Sequence, residues 1–151
     1  MVAVTWAAAI LCTDDDLRSL EPNVLQWLAA DGSGAAMRAS AKDQIADELR
    51  QSFKNIELAT DATEVLDLVL DTTPLKYTAV YLTLHLICNS CSVGGDQWER
   101  KAEMYWGKYK EALPGAIGML TLDINQSGTV DTGEKYYVSQ GVRMTRGSAR
   151  E

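Results

Sequence analysis

Apolar positions recur at helical spacing along most of this chain and switch to strand spacing near its end. Leu17, Leu20, Val24, Leu25 and Leu28 follow Thr13 at intervals of a helical face, and Asp14, Asp15 and Asp16 come directly after that threonine. A hydroxyl cap, then carboxylates at the positive end of the dipole, marks a helix start. Pro22 breaks this helix or restarts it as a first-turn proline. Past the loop Asp31-Gly32-Ser33-Gly34, the stripe Ile45, Leu49 and Phe53 predicts a second helix from about Ser40 to Lys54.

Asp61 to Leu70 reads as a short helix carrying Val65, Leu66, Leu68 and Val69. Asp71-Thr72-Thr73-Pro74 stops it and starts the next, with proline where a helix does not need its N–H. From Leu75 to about Cys91, the residues Ala79, Val80, Leu82, Leu84, Leu86 and Ile87 cover nearly the whole circumference. A helix that is apolar all round belongs at the centre of a bundle. Gly94-Gly95-Asp96 marks a turn, and Trp98, Ala102, Tyr105 and Tyr109 then form one stripe of an amphipathic helix from Gln97 to about Leu113. That stripe reads as core or subunit interface, with Glu99, Lys101, Lys108 and Lys110 on the other side. Pro114 and Gly115 are expected to end the helix.

After Gly118 the period changes. Tyr136, Val138, Gln140, Val142 and Met144 alternate with Tyr137, Ser139, Gly141, Arg143 and Thr145, which predicts a strand. The expected fold is therefore mainly α: a four- to five-helix bundle with a C-terminal β-hairpin or extended arm. It forms one domain, with the bundle over 1–113, loop and arm over 114–145, and a flexible tail over 146–151. A fragment ending at Leu113 is expected to keep nearly all the helical signal.

Length and charge fit this picture. A chain of 151 residues with 46% hydrophobic residues can fill one core unaided. Its net charge of −7 gives no global attraction for DNA phosphates or anionic lipids. The apolar run from Val2 to Cys12 is short of the roughly 20 residues a bilayer needs, and it lacks the features of a signal peptide. Neither export nor membrane insertion is expected.

Cys88 and Cys91 make the one CxxC among three cysteines, and His85 precedes them at the same spacing. They sit late in an apolar helix, not at the helix N-terminus that activates a redox thiol. Reduced thiols and a satisfied core histidine are the expected reading. No Ser/His/Asp grouping or glycine-rich phosphate loop is present in the sequence, so no catalytic residue is assigned and an enzyme is not expected.

The sharpest local pattern runs from Asp123 to Glu134. Asp123, Asn125, Ser127, Thr129, Asp131 and Glu134 stand at the oxygen-ligand positions of an EF-hand calcium loop, with Gly128 at the bend and Val130 at the aliphatic position. Asp123, Asn125 and Ser127 would ligate directly, Thr129 through its carbonyl and Asp131 through water, and Glu134 would close the shell with both oxygens. The flanks differ from an EF-hand. Pro114, Gly115 and Gly118 precede the loop and a strand pattern follows it. The same residues also suit a polar hairpin turn. Calcium is the only cofactor the residues point to, and a small calcium-binding regulatory protein is the alternative function.

With these elements placed, the chain resembles the four-helix, ring-forming head–tail connector (adaptor) proteins of tailed bacteriophages. Three stretches carry the resemblance: Thr13-Asp14-Asp15-Asp16-Leu17 with Leu20-Glu21-Pro22; Thr73-Pro74-Leu75 with Ala79-Val80-Tyr81-Leu82; and Trp98-Glu99-Arg100-Lys101-Ala102 running to Tyr109-Lys110-Glu111-Ala112-Leu113. The Leu120-Thr121-Leu122-Asp123 segment and the basic extension after it are also similar. The resemblance implies a structural virion protein at the head–tail interface, forming a dodecameric ring. It would join the portal protein to a tail-side stopper or tail-terminator protein, with DNA passing through the lumen unread. It implies no catalysis. Tyr136, Val138, Val142, Arg143 and Met144 are the expected partner-binding residues, because a lone hairpin cannot bury that apolar face.

Overall fold

The computed structural model describes residues 6–27, 34–53, 65–69, 71–91 and 95–122. Within them the chain forms a bundle of four α-helices, α1 (Asp14–Leu20), α2 (Ala35–Ser52), α3 (Lys76–Ser90) and α4 (Asp96–Met119), with short 3₁₀ turns before α1, between α1 and α2, and between α2 and α3. The expected arm over 136–145 and the calcium-type loop lie outside the described residues. Among the described residues the extended pairing is one isolated antiparallel bridge, Val69 with Leu122.

The start of α1 follows its sequence signal closely. Thr13 Oγ1 accepts the Asp16 N–H at 3.3 Å, and the Asp16 carboxylate accepts the Thr13 N–H at 2.8 Å, a reciprocal box that satisfies two otherwise orphaned donors. The same acidic run ties three helices together. Asp14 Oδ1 accepts from Gly34 N (3.2 Å) and Arg38 Nε (3.0 Å) at the head of α2, while Asp16 Oδ1 pairs with Lys76 Nζ (3.2 Å) at the head of α3. Leu17 is fully buried, but Leu20 at the helix end is 40% exposed and stands outside the expected stripe.

Helix α2 starts at Ala35, ahead of the expected Ser40. Ala35, Ala36, Met37, Arg38 and Ala39 are good helix formers, and they extend the helix back to Gly34. That glycine is needed for space. A Cβ there would lie 2.8 Å from Asp14 Oδ1 and 3.0 Å from Leu17 Cδ1. Gly34→Ala should therefore push Asp14 off Arg38 and cost about 1–3 kcal/mol, read as a lower urea midpoint at unchanged slope. A midpoint equal to that of the parent chain would show that the junction yields without cost.

The short helix expected over Asp61–Leu70 is, in its described part, a 3₁₀ turn, Val65–Leu68, with Leu66 and Leu68 buried. Asp71 then accepts both the N–H (2.9 Å) and the hydroxyl (2.6 Å) of Thr73, turning the chain into α3. Those two bonds hold the Asp71 carboxyl below its usual range.

Helix α3 is the central element, packed against α1, α2 and α4. Val80, Leu82, Leu84, Ile87 and Cys88 are buried, and Thr83 turns its hydroxyl back onto the Ala79 carbonyl at 2.7 Å. The apolar circumference read from the sequence is thus nearly filled, and the strip Tyr77, Tyr81, His85 stays at least partly open to solvent.

Helix α4 corrects the sequence reading. It passes through Pro114 and Gly115, and through Gly118, to Met119. A proline in a helix gives up one hydrogen bond, at about 3 kcal/mol. Burial beyond it offsets that cost: Ala116 and Ile117 are 7% exposed, Leu120 2% and Leu122 0%. The bundle therefore does not stop at Leu113.

Candidate functional site

The expected metal ligands Asp123, Asn125, Ser127, Thr129, Asp131 and Glu134 lie outside the described residues, as do the expected partner contacts Tyr136, Val138, Val142, Arg143 and Met144. What the structure defines is the body to which those segments attach, and the surface that body presents.

The outward side of the α3–α4 pair is rich in aromatic and cationic groups. Tyr81 stacks on Tyr105 with ring centroids 6.5 Å apart, and Lys108 Nζ lies 5.7 Å from both rings. On the other flank of α4, Trp106 sits 5.0 Å from His85 and 5.3 Å from Tyr109, with Lys110 Nζ 5.6 Å above it. Alternating lysines and aromatics along one helix place each cation over a ring face, where the quadrupole attracts it. Tyr77 (62%) on α3 and Met104 (43%) and Trp106 (37%) on opposite flanks of α4 remain exposed.

Sequence spacing alone did not reveal the polar anchor beneath that surface. Glu21, just past α1, accepts from Lys101 Nζ at 3.0 Å and from the Tyr105 hydroxyl at 2.6 Å. Lys101 and Tyr105 are one helical turn apart and legible as a pair, but Glu21 comes from the other end of the chain. Burial, and then the hydrogen bond to the Glu21 carboxylate, push the Tyr105 hydroxyl well above the ordinary tyrosine range. A second missed anchor is Lys42. Its ammonium donates to the carbonyls of Ala7 (3.1 Å) and Ala9 (2.7 Å) and pins the N-terminal segment onto α2. Beside it is an apolar groove of about 150 Å³ lined by Ala9, Ile10, Leu11, Cys12, Ala35 and Arg38, among others.

The residues weighed for metal or redox chemistry separate. His85 Nδ1 lies 2.8 Å from the Ala102 carbonyl, which can only accept, so that nitrogen carries the proton. Cys88 is fully buried, and burial followed by the Glu21 charge raises its thiol to about 11. A thiol held protonated is neither a nucleophile nor a ready ligand. Among the described residues no group of three or more His, Cys, Asp or Glu side chains is placed to hold a metal ion. No described helix is long and apolar enough to cross a membrane.

These features define a mainly α-helical bundle with exposed aromatic and apolar side chains on α3 and α4. Comparison with protein-family models, curated proteins and solved structures gave no match.

Proposed function

We propose that this protein is a structural assembly component, a ring-forming adaptor of the kind that joins portal to tail in tailed bacteriophages. The observation that carries the reading is that Tyr77 on α3 and Met104 and Trp106 on α4 are large side chains that the fold leaves exposed. Aromatic residues and methionine are enriched at protein interfaces, where such residues act as anchors. The sequence pattern adds the basic, alternating segment around Lys135, Arg143 and Arg146, attached to an acidic body. Charge of opposite sign on arm and body favours docking between neighbouring copies. In this reading the copies form a dodecamer, DNA passes through the lumen without sequence recognition, and the protein acts by packing, not by catalysis.

The test has two arms. Native mass spectrometry and electron microscopy of the full chain should show a closed ring, and Trp106→Glu should reduce it to smaller species with unchanged circular dichroism. A chain cut after Gly133 should stay folded but give DNA-filled particles that lack tails or leak. A strictly monomeric full chain, together with normal tailed particles from the truncated one, would defeat the proposal.

A further inference from the structure

Helix α4 has two distinct faces. Ala102, Tyr105, Tyr109 and Ala116 are buried in the core. On the opposite side Arg100, Met104, Gly107 and Glu111 recur at steps of four, three and four residues, which is one helical stripe. All four are exposed, Met104 at 43% although it is apolar. Among the described residues no ion pair takes up Arg100 or Glu111, nor Glu103 on the flank of the stripe. Gly107 has no packing reason within its own chain, since nothing lies within 4 Å of a Cβ there. A glycine inside a helix nevertheless costs stability relative to alanine.

The order of these residues is self-complementary. Two copies of α4 laid antiparallel, with a two-fold axis between Tyr105 and Trp106, place position 100 opposite 111 and position 104 opposite 107. Arg100 then meets the partner subunit's Glu111, and Met104 enters the gap over the partner subunit's Gly107. The axis makes each contact twice. Glu103 and Lys110 lie two turns apart on one flank of the stripe. Across the axis they stand two residues out of register, about 3 Å, within reach of two long side chains. The other flank carries Lys101 and Lys108, each already held by its own chain. Lys101 is bonded to Glu21, and Lys108 lies over Tyr81 and Tyr105.

We propose that the outward face of α4 is a contact for a second copy of this chain, paired antiparallel through Arg100, Met104, Gly107 and Glu111. Opposite charges at the two ends of an apolar centre fix both register and direction. A parallel pairing would set arginine on arginine and glutamate on glutamate, which like-charge repulsion disfavours. About three turns of one helix make a small interface, so the pair forms and parts readily. The contact goes beyond the assembly reading, which rests also on Tyr77 and Trp106, and either can stand if the other fails.

The experiment is sedimentation velocity on the full chain, from micromolar to millimolar protein. The expected result is a two-chain association that weakens with added salt. Arg100→Glu and Glu111→Arg each bring like charges together twice and should weaken it at least tenfold, with circular dichroism unchanged. The double variant exchanges the two charges and should return the affinity to within about threefold of the parent's. Gly107→Leu should also weaken the pairing at least tenfold while raising the urea midpoint, because leucine is the better helix former and has open space in the single chain. Trp106→Glu, away from this face, should leave the pairing intact, which separates it from the ring. The proposal is overturned by any of three results: no pairing at millimolar protein, pairing indifferent to the single charge reversals, or a double variant as weak as either single one.

Discussion

A chain that stops at Leu113 will fail to hold the fold, and one that stops at Leu122 will keep it. The shorter fragment loses Ile117, Leu120 and Leu122, which are 7%, 2% and 0% exposed. Burying side chains of this size stabilises by roughly 1.5–3 kcal/mol each. Their joint loss, roughly 5–9 kcal/mol on the same scale, approaches the whole stability of a typical domain, about 5–15 kcal/mol. Deletion also uncovers Val69 and strips the last turns from α4, leaving Tyr105 and Tyr109 on a shortened helix. Urea titration followed by far-ultraviolet circular dichroism should show a cooperative transition for the fragment ending at Leu122. The fragment ending at Leu113 should show a broad, weak one or none. Equal midpoints for the two would mean that the turns beyond Pro114 contribute nothing to the core.

Alkaline pH should destabilise the protein steeply as it climbs from about 9 to about 12. Burial raises the Cys88 thiol from 9.0 to about 11, with the Glu21 charge adding to it. Burial also raises the Tyr109 hydroxyl from 10.0 to about 12, helped by the charge of Glu48, and Tyr105 is raised as well. In each case the folded state holds a proton that the unfolded chain releases at lower pH. The stability these groups contribute is complete below pH 9.0 and falls as pH climbs toward about 12. Since one pKa unit is worth about 1.4 kcal/mol, the combined loss is on the order of a few kcal/mol, a sizeable share of the stability of an ordinary domain. Melting temperature against pH should drop steeply across that window. Tyr109→Phe keeps the ring and removes the titrating hydroxyl, so its curve should fall less. A parent curve flat to pH 11 would show that these groups ionise without opening the core.

Much of the helical plan was legible from local chemistry. The Thr13 box, the turn at Asp71–Thr73 and the apolar circumference of α3 each depend on residues within a few positions of one another, and a sequence displays such neighbours directly. The histidine expected to be satisfied in the core, His85, is bonded to the Ala102 carbonyl on the neighbouring helix, a partner 17 residues away that spacing does not name.

Other features depended on what lies across the fold. The stop signal at Pro114 and Gly115 is a local preference, and the burial of Ile117, Leu120 and Leu122 outweighs it, which only tertiary packing could decide. The early start of α2 is a milder case, because its alanines permit a helix while the fit of Gly34 against Asp14 and Leu17 sets where it begins. Glu21 reaches Lys101 and Tyr105 from the far end of the chain, a pairing that no periodicity contains. The calcium-type pattern at 123–134 belongs wholly to the sequence, since oxygen ligands at set spacing are a local code. The bridge between Leu122 and Val69 came from the fold, because it joins residues whose only relation is contact in space.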